Sequence, residues 1–141
     1  MTYATQADLT DRFGAVELAQ LTDRTNGVVI DATVLGRALT DADAEIDSYL
    51  ATRYALPLAS TPVVLVRMAA DIARYRLYDD RVTEAVRQRY GDAVSLLKRM
   101  ATGEVQLAGS TVLAVATTGS GNAVHTRTPT RTFNADVLGT Y

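Results

Sequence analysis

Residues Tyr54–Asp80 read "YALPLASTPVVLVRMAADIARYRLYDD" and decide how the chain is organised. The stretch opens as a non-helical connector. Pro57 biases Leu56 away from the helical region, and Pro62 suits a first helical turn, where its missing N–H is an orphan anyway. Thr61 is the natural N-cap before it. From Pro62 to about Asp80 the pattern predicts a helix that is apolar on most sides: Val63, Val64, Leu65, Val66, Met68, Ala69, Ala70, Ile72, Ala73 and Leu77. Arg67, Asp71, Arg74 and Tyr78 form a polar strip along it. A helix apolar nearly all round is surrounded by protein, and this one is too short and too charged to span a bilayer. It is either the central helix of a bundle or a helix shared with a neighbouring subunit.

Working outward, the flanking segments carry ordinary amphipathic periodicity. Upstream, Thr5 with Asp8 three residues later is a capping-box start. Leu9 and Phe13 follow one turn apart, Gly14 interrupts, and "AVELAQLTD" continues as a short second helix. "RTNG" (Arg24–Gly27) signals a turn. A long helix is expected from about Asp31 to Arg53, with Leu35, Leu39, Ala42, Ile46, Tyr49 and Leu50 as its stripe and Asp41, Asp43, Glu45 and Asp47 as an acidic opposite face. Downstream, Thr83–Thr102 forms another stripe through Val86, Tyr90, Ala93, Val94, Leu97, Met100 and Ala101, with Gly103 as C-terminal cap. Gly91 inside that helix costs about 1 kcal/mol relative to Ala, and close helix packing is its expected compensation.

The fold class is therefore mainly α: a small bundle of about four to five helices over residues 1–102, followed by an extended segment, 103–141. There the composition turns to Thr, Ser, Gly and Val, and "TTGSGNAVHTRTPTRT" has the make-up of a flexible arm. "STVLAVAT" (Val112, Leu113, Val115) has strand character but needs a partner.

Composition narrows the function. The chain has 141 residues, a net charge of −2 and no cysteine. That length suits one domain. The charge lacks the basic excess of a dedicated nucleic-acid binder. Without cysteine there are no disulfides, thiolate chemistry or strong zinc patterns, and a cytosolic origin fits. The polar N-terminus carries no signal-peptide core, and no apolar run reaches membrane-spanning length.

No chemistry-bearing constellation stands out. "DADAEID" (Asp41–Asp47) has the opening of a calcium loop, but Ile46 stands where that loop needs Gly and no terminal bidentate Glu follows. A solvated acidic helix face is the simpler reading. His125 is the single histidine, and "TGSGNA" is neither a nucleophile elbow nor a phosphate loop. No catalytic residue, cofactor site or metal site is assigned. Arg67, Asp71 and Arg74 sit one turn apart and read as an internal structural salt bridge. The seven tyrosines fit either interfaces or half-buried core positions. "RTFNADVLGTY" (Arg131–Tyr141) ends the polar arm with apolar residues, suited to folding back on the bundle or to docking on another protein.

Three stretches together resemble a known family. They are "YATQADLTDRFGAVELAQLTD" (Tyr3–Asp23), "AEIDSYLATRYALPLASTPVVLVRMAADIARYRLY" (Ala44–Tyr78) and "RTFNADVLGTY". The combination resembles the Mu-type phage family of small head–tail joining proteins, which is similar to the helical connector adaptors of long-tailed phages. The resemblance covers residues 3 to about 102 and the last eleven. It implies a non-enzymatic neck protein at the head–tail junction of the virion, made in the host cytoplasm. Such a protein forms a ring beneath the portal protein, dodecameric when assembled from free monomers. The ring extends the channel through which DNA passes, and it presents a surface to a downstream neck or tail-completion protein. Carried over, it makes Phe133, Leu138 and Tyr141 the portal-docking anchors of the C-terminal arm. It also suggests Asp41, Asp43, Glu45 and Asp47 as a lumen-facing acidic surface that repels phosphate. The alternatives are a head-closure or tail-terminator neck protein, usually richer in β structure, and a non-viral helical protein-binding module.

Overall fold

The computed structural model describes residues 1–113. Helices α1 (Gln6–Phe13), α2 (Ala15–Thr22), α3 (Ala32–Leu50), α4 (Val63–Tyr78) and α5 (Glu84–Thr102) follow in order, with a 3₁₀ turn, Asp79–Arg81, between the last two. Helix α4 packs along α3 and α5 and also touches α1 and α2. Of the two readings of the over-apolar helix, the central one therefore holds within a single chain. Leu65, Met68, Ala69, Ala70, Ile72, Ala73 and Leu77 are all buried on it. They meet Leu35, Ile46 and Leu50 of α3 and Leu97 and Met100 of α5 in one continuous core. Each such large apolar side chain contributes roughly 1.5–3 kcal/mol through removal from water.

Local chemistry sets the boundaries. Thr5 caps α1 in the expected capping box: its hydroxyl accepts from the Asp8 amide at 3.3 Å, and the Asp8 carboxylate accepts from the Thr5 amide at 2.7 Å. Gly14 adopts φ +86°, so the chain breaks there and restarts as α2. Asp31 caps α3 by accepting from the amides of Thr33 and Val34 at 2.8 and 3.2 Å. The start of α4 departs from expectation. Pro62 is extended, with ψ 140°, and itself occupies the N-cap, so Thr61 contributes no cap and the helix begins at Val63. Its end comes at Tyr78, where Asp79 takes φ +50°. Thr83 and Gly103 bound α5 as expected, Gly103 in the left-handed region at φ +85°. Gly91 corrects an expectation: among the described residues no heavy atom beyond its chain neighbours and its own helix backbone lies within 4 Å of where its Cβ would stand, so helix packing does not explain it.

Packing continues beyond Gly103. Leu107 is buried, and its amide donates to the Tyr54 hydroxyl at 3.1 Å. Val112 then forms one antiparallel bridge with Tyr54. The Ala55 amide donates to the Thr111 carbonyl at 3.1 Å, and the Leu113 amide to the Arg53 carbonyl at 2.7 Å. The connector after α3 is thus the partner that the "STVL" segment required. Val115 lies outside the described residues.

Candidate interaction surfaces

The acidic residues of α3 do not form one face. A two-residue step rotates a helix by about 200°, so Asp43 and Asp47 share one side while Asp41 and Glu45 share another. Asp43 is buried and accepts from the Tyr3 amide at 2.9 Å. Asp47 accepts from the Tyr3 hydroxyl. This pair clips the N-terminal segment onto α3, burying Tyr3 and Ala4. Burial pushes the Asp43 carboxyl up, although the Tyr3 amide works against it. The Tyr3 phenol is pushed up by burial and by its bond to Asp47.

On the other side, Glu45 joins three elements. It accepts from Arg76 of α4 at 2.9 Å and from the Tyr90 hydroxyl of α5 at 2.9 Å. Tyr90 stacks on Tyr75, with ring centroids 4.1 Å apart. Burial and the bond to Glu45 push the Tyr90 phenol up to about 12. The reading of Asp41, Asp43, Glu45 and Asp47 as one solvated acidic face is thereby corrected. Asp43, Glu45 and Asp47 hold the bundle together, and Asp41 is the exposed member of the set.

The Arg67–Asp71–Arg74 strip is also corrected. The Arg74 guanidinium reaches across to Glu17 of α2, with Nη2 at 2.6 Å and Nε at 2.7 Å from the same carboxylate oxygen. The Tyr78 hydroxyl donates to that oxygen as well, at 3.1 Å. Arg74 lies 4.5 Å over the Phe13 ring. Among the described residues no cation lies within ion-pair distance of Asp71. An inter-helix carboxylate accepting three donors wins over a neighbour on the same helix. Sequence periodicity contains no signal for Glu17, because its role depends on how α2 crosses α4.

With Arg74 turned away, Asp71 sits half-buried in a groove of about 360 Å³ between α1, α4 and α5. Arg12, Arg67 and Arg89, one from each helix, stand around it over apolar Phe13, Met68 and Ala93. Burial pushes the Asp71 carboxyl up, despite the arginines around it. A second, wider groove of about 870 Å³ lies between α3, the end of α4 and the loop before α3. That loop carries two adjacent exposed valines, Val28 at 76% and Val29 at 69% exposure.

Among the described residues no group of His, Asp or Glu side chains is placed to hold a metal, and no helix is long and apolar enough to cross a membrane. His125 and the arm anchors Phe133, Leu138 and Tyr141 lie outside the described residues.

The sequence profile of the family described as Bacteriophage Mu, Gp36 matches residues 3–126. The match includes the segment after Gly103 and stops short of the last stretch, Arg131–Tyr141. The Mu-like prophage FluMu protein gp36 of Haemophilus influenzae is 38% identical over 105 residues, 74% of each chain. Gene product J of Escherichia phage Mu is 37% identical over 105 residues, again 74% of each chain.

Proposed function

We propose, for a chain that belongs to the Bacteriophage Mu, Gp36 family, the role of a head–tail connector. It forms a ring under the portal protein, extends the DNA channel and joins the filled head to the tail. The observation that carries this reading is the identity shared with proteins of phage Mu and of a Mu-like prophage over 74% of the chain. The fold is compatible. A closed ring needs two unlike surfaces on each subunit, and the groove and the exposed loop lie on different parts of this one. A net charge of −2 suits a channel that passes DNA without gripping it. The role is architectural and calls for no catalysis. The partners are copies of the chain itself, the portal protein and a downstream neck or tail-completion protein, with the C-terminal arm docking on the portal through Phe133, Leu138 and Tyr141.

The test is an inducible prophage from which this gene is deleted. Lysates should contain DNA-filled heads and finished tails that remain separate, and the protein supplied in trans should restore joined particles. Normal yields of tailed particles without the protein would overturn the role. Heads that lose their DNA would point to head closure, and co-purification with free tails to a tail terminator. Protein truncated before Pro129 should fail to restore joining; full restoration would remove the docking arm from the proposal.

A further inference from the structure

The groove and the exposed loop are chemically complementary. The groove combines an apolar floor, Phe13, Met68 and Ala93, with guanidinium groups from three helices. Arg12, Arg67 and Arg89 are exposed, and among the described residues none lies within ion-pair distance of a carboxylate. Arg74, Arg76, Arg24 and Arg99, by contrast, each hold one. The acidic residues of the groove are Asp71, half-buried, and Asp92, which accepts from Gln88 at 3.0 Å. Three cations against two carboxylates leave the groove net positive.

The loop is apolar at its tip and acidic at its flanks, and its one cation, Arg24, is held by Asp79 at 3.3 Å. Val28 and Val29 project side by side into solvent, an arrangement that leaves apolar surface uncovered. Asp23 and Asp31 flank them. Asp23 accepts from the amides of Thr25 and Asn26, both at 3.1 Å, and Asp31 caps α3, so both carboxylates are fixed beside the valines. None of the residues lining the arginine groove belongs to this loop, which borders the other groove. One copy can therefore offer its loop while its own groove receives another.

We propose that the Val28–Val29 loop of one copy seats in the Arg12/Arg67/Arg89 groove of the next. The valines cover the half-buried Phe13 ring, and Asp23 and Asp31 meet the guanidinium groups. A knob and a groove on different parts of one subunit make a head-to-tail contact, the type from which closed rings are built. The inference rests on the ring reading above and gives it a subunit interface. Asp71 at the floor sets the depth of entry: the incoming carboxylates stay at the arginine rim while apolar side chains go below.

The cysteine-free chain permits a clean test. Asn26→Cys, on the loop, and Ala85→Cys, one turn before Arg89, alter exposed positions outside the proposed contact groups, so fold and contact should tolerate them. The two single variants are mixed and treated with a bismaleimide, in solution over a range of concentrations and in particles. The expected product is an Asn26→Cys chain linked to an Ala85→Cys chain, with neither variant linking to itself. Particles carrying both changes on one chain should give a ladder of linked copies. Adding Val28→Ser to the Asn26→Cys/Ala85→Cys chain should lower the linked fraction at least tenfold. The contact is overturned if the mixed product forms in neither setting, or if Asn26→Cys links to itself, which would mean a two-fold interface. A mixed product in solution from a chain that is absent from particles would keep the contact and defeat the connector role.

Discussion

A single carboxylate oxygen of Glu17 accepts from Arg74 Nε at 2.7 Å, Arg74 Nη2 at 2.6 Å and the Tyr78 hydroxyl at 3.1 Å, tying α2 to α4. The Arg74 side chain is only 16% exposed, so losing its partner would strand a poorly hydrated charge. Glu17→Ala should therefore destabilise the protein by about 1–3 kcal/mol, read as a lower urea midpoint with an unchanged slope. Arg74→Met alone should cost less than Glu17→Ala, because it removes the stranded charge. A double-mutant cycle would show the coupling, and near-additivity would mean that the pair contributes little.

Two glycines, one inside α5 and one capping its end, should respond with opposite sign when changed to alanine. Gly91 is mid-helix with open space where a Cβ would stand, so Gly91→Ala should stabilise by about 1 kcal/mol. Gly103 sits at φ +85°, and a Cβ there would run into the Arg53 guanidinium. Gly103→Ala should destabilise by about 1 kcal/mol or more. Thermal melts of both variants decide the matter, and equal shifts would contradict it.

Asp71 makes a pH-dependent prediction. Burial raises its folded-state pKa above the unfolded value, so its protonated form is the one favoured by folding. Its contribution is fully present below the unfolded pKa and is lost as pH rises through the folded one. Asp71→Asn should therefore raise the melting temperature at pH 7, and the advantage should shrink as pH falls below the folded pKa and vanish near pH 3. An advantage that grew toward acid would show that the surrounding arginines dominate over burial.

Ile72 is fully buried at the centre of α4. Ile72→Ala should cost about 2–5 kcal/mol by leaving a cavity among helices that all pack on α4, and denaturant unfolding measures it. Thr5→Ala, which removes the capping box of α1, should cost only about 1 kcal/mol. A reversal of that order would mean that the cap of α1 outweighs the core.

Much of this protein was legible in its sequence, for local reasons. The caps at Thr5 and Gly103, the break at Gly14 and the apolar stripes all depend on residues within one or two turns of each other, where spacing alone fixes geometry. The apolar excess of Val63–Tyr78 likewise implied a helix enclosed by protein. Its N-cap was misread because Pro62 suits both the cap and the first turn, and only the backbone angle separates the two.

The polar residues were another matter. Arg74 had Asp71 one turn away and took Glu17, 57 residues distant, because α2 brings a carboxylate that Arg74 and Tyr78 reach together. Asp43, Glu45 and Asp47 read as a solvated face and became ties to the N-terminal segment, α4 and α5. Burying apolar stripes is a demand that each helix states in its own periodicity. Which charged group meets which is decided by how helices cross once that burial is satisfied, and a one-dimensional pattern does not contain those crossings. Sequence by itself thus determined a helical bundle and its family; the tertiary packing decided which polar groups became struts and which, like Arg12, Arg67 and Arg89, were left facing outward.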